Sequence, residues 1–522
     1  MDDYGVVPYD CRPDPLSHPW RLGVAARRAG LEAPDVHRFR MLELGCADGS
    51  HLLPIAAAHP DCEIVGVERG STAAGVAVAA AERLGLENLR ILNRDLRELP
   101  DDLGTFDYVV AHGLYSWVPP DVRERVLEIC ATHLSERGVA YVSYNAEPGG
   151  GFRVDVRQTL LAAAPPEDPP RQRLAAARRA LDALAELVAE PSTGYAHALA
   201  ELVAMLRGQP DSALLHDYLA STNEAFSLSA FVGAAARHGL SFVGDQSSLH
   251  AGGVQRIHLK KTLEDGEQPT GVVEAFTDLL RYRGFRRTVL ARRAPPEAPP
   301  TPRAFLDGLH LATSLRPRTE TPSLEEGIAE ELVTPEGVTV TQERALAKAV
   351  LLVLAAVWPE TRPWPEVVDE ASSLLERHGL GGGAPSPAAV ELLAADVTFL
   401  HQINAVDVSL GPRVLPAPDP VRPSVRALTR DEVQRHSWMS TATHEHLELD
   451  PFDRALVPLL DGSRDPPAVT AAMYRMVRDG RLTIRGPQGR LRDPSALAEA
   501  VPRIIAGKLR VYGAAGVLEP KG

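Results

Sequence analysis

The stretch Met41-Leu42-Glu43-Leu44-Gly45-Cys46-Ala47-Asp48-Gly49 decides the fold of this chain. An apolar run from Phe39 to Leu44 ends in a turn of small residues, and a helical pattern starts at Leu52. A strand, a tight turn and a helix in this order predict the first unit of a nucleotide-binding sheet. Glu43, at the strand end, would repel a pyrophosphate but attract a cofactor that bears an ammonium and a sulfonium. The turn therefore favours S-adenosylmethionine (SAM) over NAD, with Gly45, Cys46, Ala47 and Gly49 lining the cofactor.

Acidic residues also follow the next two predicted strands. Residues 63–67 form the second strand, and Glu68 after it can accept hydrogen bonds from both ribose hydroxyls. Residues 89–92 form the third strand, after which Asp95 can accept from the adenine amino group and Leu96 can contact the ring. Carboxylates at the ends of three successive strands are the pattern of a SAM-dependent methyltransferase.

The remaining apolar runs complete an α/β fold. We predict a Rossmann-like seven-stranded class I methyltransferase core with helical insertions, followed by smaller α+β winged-helix-like C-terminal modules. The other predicted elements are strands at 106–111, 139–144, 240–244 and 285–291 and a helix at 121–134.

Proline-rich stretches divide the chain into predicted domains, because they form stiff, extended linkers. The strongest boundary is the linker at 294–302. We expect cofactor binding to need nothing beyond residue 294. The predicted division is an N-terminal cap at 1–38, a methyltransferase domain at 39–294 with an insertion at about 146–280, and winged-helix-like domains at 303–412 and 424–522.

The composition indicates which class of partner the protein binds and in which cellular compartment it works. The 522 residues carry a net charge of −14, which argues against sequence-independent nucleic-acid binding and is compatible with a basic protein or peptide. The four cysteines show neither metal nor disulfide spacing, so we expect no metal site and a cytoplasmic protein. Ala345 to Trp358 is strongly apolar, but it is too short to span a bilayer and contains Lys348, so it predicts a buried helix and no membrane insertion.

Several segments resemble a known family. Ala111-His112-Gly113-Leu114-Tyr115-Ser116-Trp117-Val118-Pro119 is similar to the signature after strand four of bacterial class I methyltransferases that carry a methyltransferase regulatory domain. Ser143-Tyr144-Asn145 and the segments 214–219 and 281–288 support the same resemblance. The segments 446–450 and 459–465 resemble the C-terminal winged-helix domain of the family's protein-lysine methyltransferases, some of which modify outer-membrane proteins.

The resemblance implies SAM as cofactor, lysine of a protein as acceptor, and an acceptor site built from residues near strands four and five. Tyr115, Trp117 and Tyr144 could form an aromatic wall that attracts the methylammonium, or could pack in the core. His112 could orient the cofactor, could take the lysine proton, or could cap a backbone group through a hydrogen bond. Asn145 completes the candidate catalytic residues.

Two positions depart from the family pattern. Ala47 replaces a usual glycine of the cofactor turn but is still small. Residues 147–151 read Glu-Pro-Gly-Gly-Gly where the family has an aromatic stretch. The three glycines predict a mobile loop at 145–151, which we expect to form a lid over the acceptor site together with the helical insertion at 153–235. The changed loop leaves two alternatives open. One is a natural-product or peptide methyltransferase, and the other is a SAM-binding scaffold without turnover.

Overall fold

A mostly parallel sheet forms the centre of the computed structural model, which describes residues 7, 9–246, 270–335, 337–381, 383–415, 417–486, 489–491 and 493–520. The strand order is β3-β2-β1-β4-β5-β8-β7, with the short β6 paired to β5. All pairs are parallel except β5–β8 and β7–β8. The strands are β1 (Arg40–Leu44), β2 (Glu63–Glu68), β3 (Leu89–Asn93), β4 (Phe106–Ala111), β5 (Leu134–Ala146), β6 (Ala225–Phe226), β7 (Ser241–Asp245) and β8 (Phe285–Ala291).

The predicted Rossmann-like sheet is thereby confirmed, and β6 is the one strand of this sheet that the sequence did not predict. Side chains of β1 alternate between two cores, because successive residues of a strand point to opposite faces. Leu42 and Leu44 pack with Val65 in one core, and Met41 packs with Ile64 in the other. The flanking helices are α1 (Pro19–Arg28), α2 (Leu52–Ala58), α3 (Ser71–Leu84), α4 (Pro120–His133), α8 (Leu228–Arg237) and α9 (Thr270–Arg281).

The insertion after β5 is helical and has a core of its own, which includes Leu160, Leu181 and Leu215. Its helices are α5 (Gly149–Ala163), α6 (Pro170–Leu187) and α7 (Gly194–Arg207), followed by helical turns at Asp211–Ala213 and Leu214–Tyr218. The part of the predicted insertion at 247–269 lies outside the described residues.

The prediction of a mobile glycine loop was wrong. Gly149, Gly150 and Gly151 form the first turn of α5. A Cβ at Gly149 would lie 2.3 Å from the carbonyl oxygen of Tyr282, and a Cβ at Gly150 would lie 2.5 Å from the Cβ of Ala225. The first two glycines therefore permit a close approach of chain segments and do not provide a hinge.

The region beyond the linker forms two further groups of elements, each with its own core. Ala345–Val357 is a buried helix, as the sequence predicts. The first group contains β9 (His310–Ala312), β10 (Arg316–Pro317), β11 (Glu330–Val333), β12 (Thr339–Gln342), β13 (Arg362–Pro363), β14 (Asp407–Ser409), α10 (Pro302–Leu306), α11 (Ala345–Val357), α12 (Trp364–Arg377) and α13 (Pro387–Gln402). The second contains α14 (Ala427–Arg435), β15 (Trp438–Ser440), β16 (His446–Glu448), α15 (Pro451–Leu456), α16 (Pro466–Arg478), β17 (Arg485–Gly486), β18 (Gly489–Arg490) and α17 (Pro494–Ala514).

Helix α1 joins the methyltransferase core to the first of these groups. Leu22 and Ala26 pack into the core beside the sheet, whereas Val24 packs into the core around α11. Arg21 forms an ion pair of 3.1 Å with Asp407. Among the described ranges, no helix combines the length and apolarity that crossing a membrane requires.

Candidate active site

The turn after β1 adopts a backbone conformation that suits small residues. Gly45, Ala47 and Gly49 have φ angles of 76°, 47° and 78°, in the left-handed region that favours glycine. The amides of Gly45 and Cys46 donate to the carbonyl of Val67, which ties the turn to β2. Burial raises the pKa of the Cys46 thiol well above its usual value, so Cys46 fills space and is not poised as a nucleophile.

Glu43 and Glu68 lie at the carboxyl ends of β1 and β2. Glu68 accepts hydrogen bonds from the amides of Ala47 (3.0 Å) and Gly70 (2.6 Å), which holds its carboxylate beside the turn. Glu43 is 4% exposed, and its Oε2 has no hydrogen-bond partner among the described residues. An unpartnered buried oxygen is costly unless a ligand satisfies it. This orphaned oxygen and the small-residue turn fit a cofactor that bears an ammonium group, so the residues present suit SAM.

Asp95 and Leu96 follow β3, as the sequence predicts. Asp95 accepts from the amide of Arg97 at 3.0 Å and pairs with its guanidinium at 3.1 Å, while Leu96 is buried. The position is compatible with an adenine contact, and that contact stays a prediction, as does the ribose contact of Glu68.

His112 follows β4 and lies beside three polar groups. Its Nδ1 is 3.1 Å from the hydroxyl of Tyr141, 3.3 Å from Ser143 Oγ and 3.4 Å from Asp14 Oδ2. Burial lowers the pKa of His112, against the opposing effect of Asp14, and so favours the neutral form of the imidazole. Sequence reasoning missed Asp14, because it stands in a proline-rich segment without a motif.

The predicted aromatic wall needs a correction. Tyr144 is fully buried and stacks on Phe231 at 4.2 Å between ring centroids, and Tyr115 is 4% exposed and packs against Phe226 and Phe231. Both rings are core residues, because helix α8 covers this face of the sheet. Trp117 is partly buried beside Tyr115.

Asn145 lies half-buried at the end of β5. Its amide nitrogen Nδ2 donates to Asn223 Oδ1 at 2.7 Å, and its backbone amide donates to Ser116 Oγ at 2.8 Å. The side chain therefore joins β5 to the segment before β6, and any catalytic role stays a prediction.

A different set of aromatic residues lies at this edge of the sheet and was missed by the sequence. Phe152 of α5 contacts Tyr195 and Tyr282, with ring centroids 5.6 and 6.3 Å apart. Tyr195 and Tyr282 are 63% and 50% exposed, and the neighbouring Leu279 and Leu280 are also exposed. We call Phe152, Tyr195, Leu279, Leu280 and Tyr282 the aromatic ridge. The ridge adjoins the end of β5, because the amide of Gly149 donates to the carbonyl of Arg283.

The C-terminal elements contact the cofactor turn directly. His436 Nε2 is 3.4 Å from Ser50 Oγ, and His444 Nε2 is 2.8 Å from His51 Nδ1. The indole nitrogen of Trp438 donates to Asp10 in the N-terminal segment at 3.3 Å. These contacts argue against our expectation that cofactor binding needs nothing beyond residue 294. Within the described part of the chain, no group of three or more His, Cys, Asp or Glu residues is arranged to hold a metal ion.

Three family models match the chain and agree with this geometry. The methyltransferase domain matches residues 41–138, the predicted methyltransferase regulatory domain matches 210–292, and the PKMT C-terminal winged helix domain matches 422–517. The chain therefore combines a SAM-dependent methyltransferase domain with a methyltransferase regulatory domain and a PKMT-type C-terminal winged helix.

Similar proteins match this chain over most of their own length. Protein RP789 of Rickettsia prowazekii is 25% identical over 490 residues, which cover 92% of this chain and 87% of the relative. Protein RP028 of the same organism is 28% identical over 44% of this chain and 92% of its own length. The solved structure of PKMT2 from Rickettsia typhi in complex with AdoHcy has a TM-score of 0.84 at 20% identity, and the match covers 98% of this chain and 100% of PKMT2. That likeness establishes the shared fold.

Proposed function

We propose that this methyltransferase transfers methyl groups from SAM to lysine side chains of a protein substrate. The observation that supports this proposal most strongly is the PKMT C-terminal winged helix domain at residues 422–517, which accompanies the catalytic domain at 41–138. The fold shared with PKMT2 over 98% of the chain supports the same acceptor class.

The environment of His112 suits an amine acceptor. A lysine with its ordinary pKa of about 10.4 is protonated at neutral pH and has no lone pair to offer. SAM supplies a methyl group activated by the sulfonium. The neutral imidazole of His112 accepts the proton of the lysine, whose nitrogen then forms the new bond to the methyl carbon as the carbon–sulfur bond breaks and its electron pair goes to sulfur. Alignment of the reacting atoms supplies much of the rate in such an in-line transfer.

The aromatic ridge supports a macromolecular acceptor. Exposed tyrosine and leucine side chains beside the carboxyl edge of the sheet offer apolar contact to a polypeptide. Aromatic faces also attract lysine and methylated lysine by cation–π contact. We propose that these side chains serve the role that we predicted for the wall of Tyr115, Trp117 and Tyr144.

Transfer of labelled methyl groups from SAM tests the proposal. The full-length chain is incubated with labelled SAM and a lysate from cells that lack it, and the labelled products are identified by mass spectrometry. We expect peptides with mono-, di- or trimethyl-lysine, and we expect His112→Asn to reduce labelling while SAM binding persists. Label in a small molecule would favour a natural-product methyltransferase, and absence of any transfer despite SAM binding would favour a scaffold.

A further inference from the structure

Asp14 lies at the cofactor edge of the sheet although it belongs to the N-terminal segment. Its Oδ2 accepts a hydrogen bond of 2.8 Å from the hydroxyl of Tyr141, and its Oδ1 is 3.9 Å from Arg287 Nε. The backbone amide of Asp14 donates to Nδ1 of His51, the residue that precedes α2. The carboxylate is therefore fixed between strands β5 and β8 and the segment after the cofactor turn.

Strand register places Asp14 on the same face of the sheet as Glu43. Glu43 pairs with Val110 of β4, and Val110 pairs with Tyr141 of β5. Residues paired in a row point to one face, so the side chains of Glu43 and Tyr141 share the face on which Tyr141 holds Asp14.

The two carboxylates also interact electrostatically. Burial raises the pKa of Glu43 well above its usual value, and Asp14 is the charge that adds most to this effect. The pKa of Asp14 itself is lowered, because His112, Arg287 and Tyr141 offset its burial. Asp14 is therefore an anion, and Glu43 is a buried carboxyl whose Oε2 lacks a partner among the described residues. A cation placed between them would satisfy both groups.

We infer that Asp14 is a cofactor-binding residue that receives, together with Glu43, the ammonium of the methionine moiety of SAM. This inference concerns the binding of the cofactor and not the acceptor, so its test does not depend on whether the acceptor is a lysine. The ammonium has three donors, and the two carboxylates offer acceptors from the N-terminal segment and from β1. The N-terminal segment thereby becomes part of the catalytic machinery.

The binding of two nucleosides distinguishes a contact between Asp14 and the ammonium from a general effect of Asp14 on the cofactor site. S-adenosylhomocysteine (AdoHcy) retains the ammonium, whereas 5′-methylthioadenosine retains the adenosine and sulfur but lacks the amino-acid moiety. We expect Asp14→Asn in the full-length protein to weaken AdoHcy binding by roughly 10- to 100-fold, as loss of a charged hydrogen-bond partner does. Calorimetry should show unchanged affinity of the same variant for 5′-methylthioadenosine.

Two matched variants make the test decisive. Glu68→Gln should weaken the binding of both nucleosides, since the predicted contact of Glu68 is with the ribose that both share. Tyr141→Phe removes the donor to Asp14 but keeps the carboxylate, so it should reduce AdoHcy affinity much less than Asp14→Asn does. The inference is overturned if Asp14→Asn leaves AdoHcy affinity unchanged or if it weakens the binding of both nucleosides equally. It is also overturned if Tyr141→Phe lowers AdoHcy affinity as much as Asp14→Asn does.

Discussion

At the scale of single residues, Glu68 is the clearest test of how the cofactor turn works. Its carboxylate accepts from Ala47 and Gly70 and is expected to accept from the ribose as well. We expect Glu68→Ala to weaken SAM binding by about 1–3 kcal/mol, measured by calorimetry. Glu63→Ala, at the other end of the same strand and exposed beside Arg40, is the matched control and should bind SAM normally. Equal affinities for the two variants would contradict the ribose assignment.

At the scale of elements, the first turn of α5 shows why three adjacent glycines differ. A Cβ at Gly149 would collide with the backbone of Tyr282 and Arg283, whereas a Cβ at Gly151 would have no atom within 4 Å. We expect Gly149→Ala to destabilise the protein by about 1–3 kcal/mol. Gly151→Ala should be neutral or stabilise by up to about 1 kcal/mol, because alanine favours the helix. Chemical unfolding of both variants measures the contrast, and similar stabilities would show that the close approach at Gly149 is unimportant.

Four histidines, two buried and two partly buried, join α1, α2 and the turn between β15 and β16, and they make this junction sensitive to acid. His51 and His444 are hydrogen-bonded, while His18 contacts His59 and His444. Burial lowers the pKa of His51 and of His59 to about 4, and lowers those of His18 and His444 well below their usual value.

This junction predicts a loss of stability in acid. The histidines take up protons more readily in the unfolded chain, so their contribution is present above about pH 6.5 and is lost as the pH falls towards 4. We expect a loss on the order of 3 kcal/mol for each of His51 and His59, measured by denaturant unfolding between pH 7 and 4. His59→Phe keeps a ring against Phe39 and should reduce the pH dependence. An unchanged pH dependence in that variant would exclude His59 from the effect.

At the scale of the whole molecule, the winged-helix region is attached to the catalytic core beside the cofactor turn. Asp431 of α14, 9% exposed, accepts from Arg83 of α3 at 2.7 Å and from Arg435 at 2.6 Å. His436, directly after α14, then reaches Ser50. The docking of this region therefore supports the conformation of the turn that holds the cofactor.

We expect that weakening this attachment also weakens cofactor binding. We expect Asp431→Asn to weaken the contact by about 1 kcal/mol, since Arg83 is half exposed and its ion pair is partly screened. AdoHcy affinity should fall several-fold, and hydrogen exchange should rise in residues 45–51. Asp461→Asn is the control, because Asp461 pairs with Ser463 and Arg464 inside the winged-helix region. If both variants behave alike, the docking has no influence on the turn.

The sequence by itself determined those features of the protein that depend on residues close together along the chain. A turn of small residues between a strand and a helix, acidic residues at three strand ends and a family-like C-terminal segment were sufficient for the fold, the cofactor and the enzyme class. Each of these signals lies within a few residues along the chain, where side-chain period and backbone conformation are readable.

Only the tertiary structure decided what depends on contacts between distant segments. Tyr144 looked like an acceptor-site residue, but α8 packs over β5 and buries its ring. The glycines at 149–151 looked mobile, but the chain before β8 passes too close for a side chain. Asp14 carried no local signal, and it enters the site because Tyr141, 127 positions further along the chain, binds its carboxylate. Such pairings follow from packing and not from periodicity, so no stretch of the sequence read alone could have shown them.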